Sequence, residues 1–285
     1  MVQTYGSHES KIYYIEESTF GQTPSTPAML GVPAESVEPQ INPNNIKLRG
    51  VGSVDLQAIK KGLRAPSMKI AFPLPSDAPI NFLQYTKVEL AKSLSVQVLY
   101  YKRAFAVATD IISLLYSGCK FQSATVECSI EDVVKANVEI LSQDLTVGTA
   151  KLADATYSDY SGAVPFYESY IKKDTTVLER VTDWKFNIDN NLKQVPVIRS
   201  TNGNLLKYLP NRHRDLTGEV VFEFESKEEF DDIINDSEFD LEFGLGGSNK
   251  AIFSDCKWEN AQAPTRIEEL VSLKATFVAK TVTIS

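Results

Sequence analysis

LLYSGCKFQSATVECSIEDVVKANVEILSQDLTV, residues 114–147, aligns without a gap to AIFSDCKWENAQAPTRIEELVSLKATFVAKTVTI, residues 251–284. Eight of the 34 columns are identical: Ser117/Ser254, Cys119/Cys256, Lys120/Lys257, Ala124/Ala261, Ile130/Ile267, Glu131/Glu268, Val134/Val271 and Thr146/Thr283. Others are conservative, including Phe121/Trp258 and Ile140/Phe277. An ungapped match of this length marks an internal repeat. Within it Ala136, Val138 and Ile140 alternate with Lys135, Asn137 and Glu139, and Leu273, Ala275 and Phe277 with Ser272, Lys274 and Thr276. Alternation of period two is the signature of a half-buried strand, so both copies bury the same face.

The match extends upstream. INPNNIKL, from Ile41, corresponds to NIDNNLKQ, from Asn187, and SMKIAFPLP, from Ser67, to TGEVVFEFE, from Thr217, where Val220, Phe222 and Phe224 face inward. The chain thus divides into an N-terminal arm (1–35), a first module (36–148) with a hairpin-like insert at about 93–110, a Tyr-rich inter-module segment (149–179) and a second module (180–285). The predicted fold is mainly β: two tandem antiparallel β-sandwich or half-barrel modules, each with a flanking α-helix. SKEEFDDIIND supplies the clearer helix, with Ser226 as N-cap, Glu229 completing a capping box, and Phe230, Ile233 and Ile234 on one stripe. SDAPINFLQYTK, from Ser76, is its weaker counterpart.

Composition bounds the function. The chain has 285 residues, 43% apolar, enough for a sizeable core. Its most apolar stretch, Ala104 to Gly118, is interrupted by Asp110 and is too short to span a bilayer. MVQTYGSHESK lacks the basic start and apolar run of a signal peptide, so a soluble protein made in the cytoplasm is expected. A net charge of −8 disfavours gripping nucleic acid, whose affinity comes from lysine and arginine displacing counterions.

The three cysteines, 119, 128 and 256, form no CxxC pair, which argues against a zinc site or a disulfide framework. CKWENAQ, from Cys256, sets a thiol beside Lys257 and Glu259 in the manner of an activated nucleophile, but CKFQSAT recurs at the equivalent place. Cys119, Phe121, Cys256 and Trp258 therefore read as repeat-equivalent structural positions. The only histidines, His8 and His213, offer no base nearby in sequence, NRHRD reading as an exposed basic turn. GLGGSNK lacks P-loop spacing and reads as a hairpin turn, and FNIDNNLK lacks the alternating carboxylates of a calcium loop. No catalytic, cofactor or metal residue is assigned, and no enzyme activity is expected.

Antiparallel modules have open edges that are either guarded or used to pair with another chain, and head-to-tail pairing closes a ring when the rotation divides the circle. Candidate oligomer-interface residues are Thr19, Phe20, Gly21 and Pro24 in the arm and Tyr157, Tyr160, Tyr167 and Tyr170 in the inter-module segment. Packing of these tyrosines on the chain's own sandwich is the alternative. The stretch Glu16 to Pro33, rich in proline and weak in periodicity, is expected to order only on assembly, so removing residues 1–33 should leave a folded protein that does not polymerise.

EESTFGQTPSTPAM from Glu16, FNIDNNLKQV from Phe186, LTGEVVFEF from Leu216 and the closing CKWENAQAPTRIEELVSLKATFVA together resemble the tail tube proteins of long-tailed bacteriophages and archaeal viruses. The resemblance implies a structural virion protein whose β-sandwiches form stacked rings around a hollow bore that passes the genome during ejection. It implies homotrimeric, pseudo-hexameric rings for a two-module chain, assembly in the host cytoplasm into the virion tail, contacts with tape measure, terminator and baseplate proteins, and DNA passing without specific binding. It implies no cofactor and no membrane. Two further readings are another ring protein of a tail or injection machine, such as a terminator or baseplate hub, and a carbohydrate-binding β-sandwich adhesin, which would need an exposed aromatic platform.

Overall fold

In a computed structural model describing residues 5–87, 92–102, 111–265 and 271–285, the strands are, in chain order, β1 Ser10–Glu17, β2 Ala28–Val32, β3 Ser36–Asn42, β4 Ile46–Leu48, β5 Ala58–Lys60, β6 Ala65–Pro73, β7 Ser93–Tyr101, β8 Ile111–Ser129, β9 Lys135–Leu141, β10 Asp144–Gly148, β11 Thr156–Ser158, β12 Ile171–Lys173, β13 Thr176–Val177, β14 Val181–Asp189, β15 Asp215–Glu223, β16 Phe239–Gly244, β17 Lys250–Gln262, β18 Ser272–Val278 and β19 Thr281–Ile284. One α-helix, α1 (Glu228–Ile234), occurs among the described residues. Seventeen strands form one connected open sheet system, and β4 and β5 make a separate ribbon.

Eight strands make a continuous antiparallel central sheet in the order β3-β6-β9-β8-β14-β15-β18-β17. The long strands β8 and β17 each change sheet part-way. The first half of β8 pairs with β7 and β10, extending to β1 and β2, and the first half of β17 pairs with β16 and β19, extending to β12 and β13. The bends fall at the same repeat positions. A register shift lies between Phe121 and Ser123 against β9 and between Trp258 and Asn260 against β18. A second lies between Leu94 and Val96 and between Phe239 and Leu241. Gly118 and Asp255, in equivalent columns, both take positive φ (64° and 53°), as an extra bulge residue requires.

Ala136, Val138, Ile140, Leu273, Ala275 and Phe277 are buried, as their alternation predicts, and one core cluster contains all six. Phe186 sits at its centre, 5.0–5.7 Å from the rings of Trp184, Phe243 and Phe253. Phe224 differs from expectation. It lies beyond the end of β15, is exposed, and meets Phe230 of α1 edge-on.

The structure corrects several expectations. Residues 10–17 and 28–32, within the stretch read as an arm, are strands ordered within the single chain. β1 pairs with β7 over eight residues and buries Ile12, Tyr13 and Tyr14. Ser93–Tyr101, read as part of an insert, is a central member of its sheet between β1 and β8, while residues 103–110 lie outside the described residues. The upstream correspondence shifts by one residue: Asn44 and Asn191 share a left-handed φ, and each backbone N–H bonds the side-chain oxygen two residues earlier, on Asn42 and Asp189. Asn44 is therefore the structural partner of Asn191. Ser226 accepts a hydrogen bond from the Glu228 N–H at 3.3 Å, but Glu229 does not complete a capping box. It is buried in a bidentate pair with Arg180 (2.5 and 3.3 Å), whose half-buried guanidinium, stacked 4.9 Å from the Phe222 ring, supplies the counter-charge that the buried carboxylate needs. The weaker helix candidate is a single 3-10 turn, Leu83–Thr86. The repeat columns Ile267 and Glu268 lie outside the described residues.

Candidate functional site

Glu17 ends β1 and fixes the first group of candidate interface residues. Its Oε2 accepts from the Gly21 N–H at 2.8 Å and the Ser93 hydroxyl at 2.6 Å, and its Oε1 from the Ser95 hydroxyl at 2.7 Å and the Gly118 N–H at 2.8 Å. The carboxylate is buried, and four donors replace the water it has lost. The tight turn Thr19–Gln22, closed by the Gln22 N–H to the Thr19 carbonyl at 3.0 Å, is thereby tied to the bulge at Gly118. A Cβ on Gly118 would come within 3.1 Å of the Phe20 ring. Thr19 remains exposed, and Phe20, Gly21 and Pro24 are half-buried.

The tyrosines separate into two kinds. Tyr157 meets Tyr13 edge-on at 4.7 Å, and its hydroxyl donates to Gln97 at 2.8 Å. The Tyr160 hydroxyl accepts from the Asn81 amide. Tyr170 donates to Glu242 at 2.7 Å, and this bond, with Lys250 and Lys172 at 3.0 and 3.2 Å, holds the Glu242 carboxyl down at about 2. These three pack on their own chain. Tyr167 is 74% exposed beside the exposed Phe166, on the turn that precedes β12.

All three thiols are buried and free. Burial pushes Cys119 well up and Cys256 up to about 12, so neither is a thiolate near neutral pH. Trp184 and Trp258 are buried, and Cys119 and Phe121 occupy the same places beside the β8 bend as Cys256 and Trp258 beside that of β17. GLGGSNK turns from β16 into β17, and His213 is exposed. Among the described residues no group of three or more His, Cys, Asp or Glu side chains is placed to hold a metal, and no helix is long and apolar enough to cross a membrane.

Two surfaces went unnoticed in the sequence. The β4–β5 ribbon and its loop expose Ile46, Leu48, Val51, Val54, Leu56 and Ile59, more apolar surface than an isolated ribbon has reason to carry. The signal was LRGVGSVDLQAI, apolar residues spaced through a Gly-rich loop. The other surface is the outward face of the central sheet, whose members are fixed by the register. Leaving aside Lys120, Lys257 and Glu259, which stand at the two bends, its charged strand positions are Glu38, Glu127, Glu139, Asp183, Asp189, Asp215, Glu219 and Glu223 against Lys69, Lys135, Lys185 and Lys274, eight carboxylates to four lysines. Lys69 stands between Glu38 and Glu139, and Lys185 between Glu127 and Glu219. Lys274 pairs with Glu219 at 2.7 Å.

A family model described as "Phage tail tube protein" matches residues 7–279. A comparison with curated proteins gives no match. Among solved structures, a chain of the SPP1 tail tube aligns with TM-score 0.39 and 10% identity, covering 53% of this chain and 82% of that one. A chain from the virion of a native gene transfer agent particle gives TM-score 0.37 and 7% identity (43% and 99% covered), and one from the anti-feeding prophage baseplate 0.36 and 13% (53% and 100%).

Proposed function

The chain belongs to the phage tail tube protein family, and from that premise we propose that it builds the tube from rings of three chains, each chain supplying two modules, with the outward face of the central sheet lining the bore. As a tail tube protein it is a structural component of the virion tail. The observation that carries the finer reading is the eight-stranded central sheet: one face is buried under the two flanking sheets, the other is polar, and its two edges, β3 and β17, have no neighbour along part of their length among the described residues. A sheet of this kind either protects its edges or pairs with another chain, and pairing with copies of itself closes a barrel with the polar face inside.

The two-module reading is supported by the recurrence of order, bends and left-handed positions: β1, β2, β3, β6, β7, β8, β9 and β10 correspond in sequence to β12, β13, β14, β15, β16, β17, β18 and β19. On this reading residues 10–17 and 171–173 belong to the modules rather than to an arm or a linker. The charge balance of the polar face suits a bore. Its lysines stand beside carboxylates, so few cations are left to hold phosphate, and the net negative field lets DNA slide. Thr19, Phe20, Tyr167 and the β4–β5 ribbon lie outside that face and are available for contacts within and between rings; tape measure, terminator and baseplate proteins would meet the tube's ends and bore. No enzyme step is assigned.

Negative-stain imaging of the purified chain tests the reading. Hollow tubes or rings with sixfold density modulated at threefold are expected, and a monodisperse monomer at high concentration would overturn it.

A further inference from the structure

Inside one chain, the two halves of the central sheet are joined by β14 lying antiparallel on β8, from Asp183↔Ser129 to Asp189↔Ser123. Both strands have counterparts with an open edge. β3 corresponds to β14, since Asn42 faces Ala65 as Asp189 faces Asp215, and β3 has β6 as its one strand neighbour among the described residues. The second half of β17 corresponds to the second half of β8, and from Lys257 onward it pairs with β18 alone.

The side chains at the open edges are what a junction would cover. At the internal junction the inward residues Trp184, Phe186 and Ile188 of β14 and Ala124, Val126 and Cys128 of β8 are all buried. Their counterparts Val37, Pro39, Ile41, Ala261, Ala263 and Thr265 are half-buried or exposed, Ile41 by 45%, and all but Thr265 are apolar. β17 also ends at Gln262, four residues before the counterpart of Ser129, as expected of a strand that lacks its partner there.

The adjoining loop follows the same rule. The segment that leaves β14 lies over the first half of the chain. The Gln143 amide donates to the Leu206 carbonyl at 2.9 Å, the Arg64 N–H to the Asn204 carbonyl at 2.8 Å, and Leu206 and Leu209 are fully buried. Their counterparts at the end of the loop that leaves β3 are Leu56 and Ile59, both exposed. The same positions are therefore buried where the described residues supply a neighbouring module and bare where they supply none.

We propose that successive chains join head to tail by antiparallel pairing of β3 of one copy with β17 of the next, in the register Val37↔Thr265 to Asn42↔Asn260, repeating between chains the junction that β14 and β8 make within one; this rests on the ring reading above and specifies its contact. The β4–β5 ribbon then covers the neighbour's second module, as the segment 192–210 covers the first. Pro39 and Pro43 stand where Phe186 and Asn190 do, and the Asn190 N–H bonds the Gln122 carbonyl at 2.8 Å. The inter-chain edge thus lacks two donors that the internal one has. Proline on an edge strand blunts indiscriminate pairing, so the contact depends on the apolar row and the ribbon as well as on the ladder.

The register is testable by disulfide trapping in the full chain. Gln40 and Gln262, both exposed, face each other in the proposed register as the non-hydrogen-bonded pair equivalent to Asn187 and Thr125, whose side chains bond at 3.0 Å. Such pairs bring Cβ atoms within disulfide reach, whereas a slip of two residues does not. Oxidised Q40C/Q262C is expected to convert most of the monomer into a ladder on a non-reducing denaturing gel, ending at a closed trimer. T125C/N187C should remain monomeric with its disulfide closed, and Q40C/N260C should cross-link little. Mixing the single variants Q40C and Q262C, which perturb one exposed position per chain, should stop at the dimer. No inter-chain product from the double variant or the mixture, or equal product from Q40C/N260C, overturns the register. Imaging the same samples separates the outcomes: tubes without the cross-link refute this contact and leave the ring reading standing, and a cross-linked trimer that never stacks supports the contact and refutes the tube.

Discussion

Glu17→Ala should destabilise the chain far more than a surface glutamate does. The carboxylate is buried and accepts two backbone N–H groups and two hydroxyls at 2.6–2.8 Å. The hydroxyls of Ser93 and Ser95 rotate and find other acceptors, Ser95 already lying 2.7 Å from the Thr23 hydroxyl. The N–H groups of Gly21 and Gly118 cannot. An orphaned buried N–H costs about 1–3 kcal/mol, and water entering the vacated space offsets part of it, which gives a loss of about 3–4 kcal/mol for Glu17→Ala. Glu17→Gln keeps the shape but turns an NH2 group toward one of the two backbone donors, so about 1–2 kcal/mol is expected, and Ser93→Ala, which removes one of four bonds, about 1 kcal/mol. Urea denaturation read by tryptophan fluorescence gives the ranking, because Trp184 and Trp258 are both buried. Limited proteolysis should show new cleavage between residues 18 and 27 in Glu17→Gln before the sheet is lost. Three variants within about 0.5 kcal/mol of the parent, the scatter of ordinary surface changes, would refute the reasoning, as would Gln and Ala of equal effect.

Native Cys119 and Cys256 should resist alkylation at pH 8 and react fully only in denaturant, with Cys256→Ser lowering stability without any change in chemistry; rapid labelling of the folded chain contradicts their burial. Deleting residues 1–33 should give insoluble or unfolded protein, since burying a large apolar side chain contributes about 1.5–3 kcal/mol and Ile12, Tyr13, Tyr14, Met29 and Val32 would all be lost; a cooperative melt from the truncated chain overturns this. Glu242 has a depressed folded pKa, so its contribution is complete above its unfolded value near 4.5 and disappears as pH falls toward about 2. The full shift corresponds to about 3 kcal/mol, and solvent around its partly exposed lysine partners reduces that to about 1–2 kcal/mol. Glu242→Gln should therefore cost that much at pH 6 and almost nothing at pH 2, with a difference that does not narrow in acid counting against the assignment.

The alternating strands were legible because one face of the central sheet meets the core and the other does not. β9 and β18 fall at equivalent positions for that reason, from Lys135 and from Ser272. β7 was misread because it is buried on both faces: SLSVQVLYY hides Ser93, Ser95 and Gln97, whose polar atoms are met by Glu17, Tyr157 and Ser113. Period two carries no signal there, and partners distant in sequence decide the burial. The ordering of residues 10–17 was hidden likewise, since Glu17 has meaning only beside Ser93, Ser95 and Gly118. Gly218 shows the same limit at a core position. Met68 stands at the aligned position, and a Cβ at Gly218 would collide with the Phe277 ring at 2.4 Å, so glycine and phenylalanine are paired where the other half of the chain pairs Met68 and Ile140. Each residue looks like divergence until its neighbour is known.

Divergence between equivalent positions also separates sites that contact the same chain from sites left open. Where β14 lies on β8, large rings and small residues interlock: Phe186 faces Val126 and Trp184 faces Cys128. At the open edges Pro39 stands for Phe186 and Val37 for Trp184. A tryptophan and a phenylalanine on an exposed edge would leave a large apolar patch on the unassembled chain, inviting aggregation before rings form. Smaller apolar residues and a proline reduce that patch on the free chain, and the proposed junction would be weaker for it. With the proposed contact a tube would tolerate that weakness, because each chain in it would be held by two such junctions and by its neighbours above and below. Val37→Trp should then strengthen ring formation and lower the solubility of the monomer together, and a variant that gained neither property would show that this edge is not the contact.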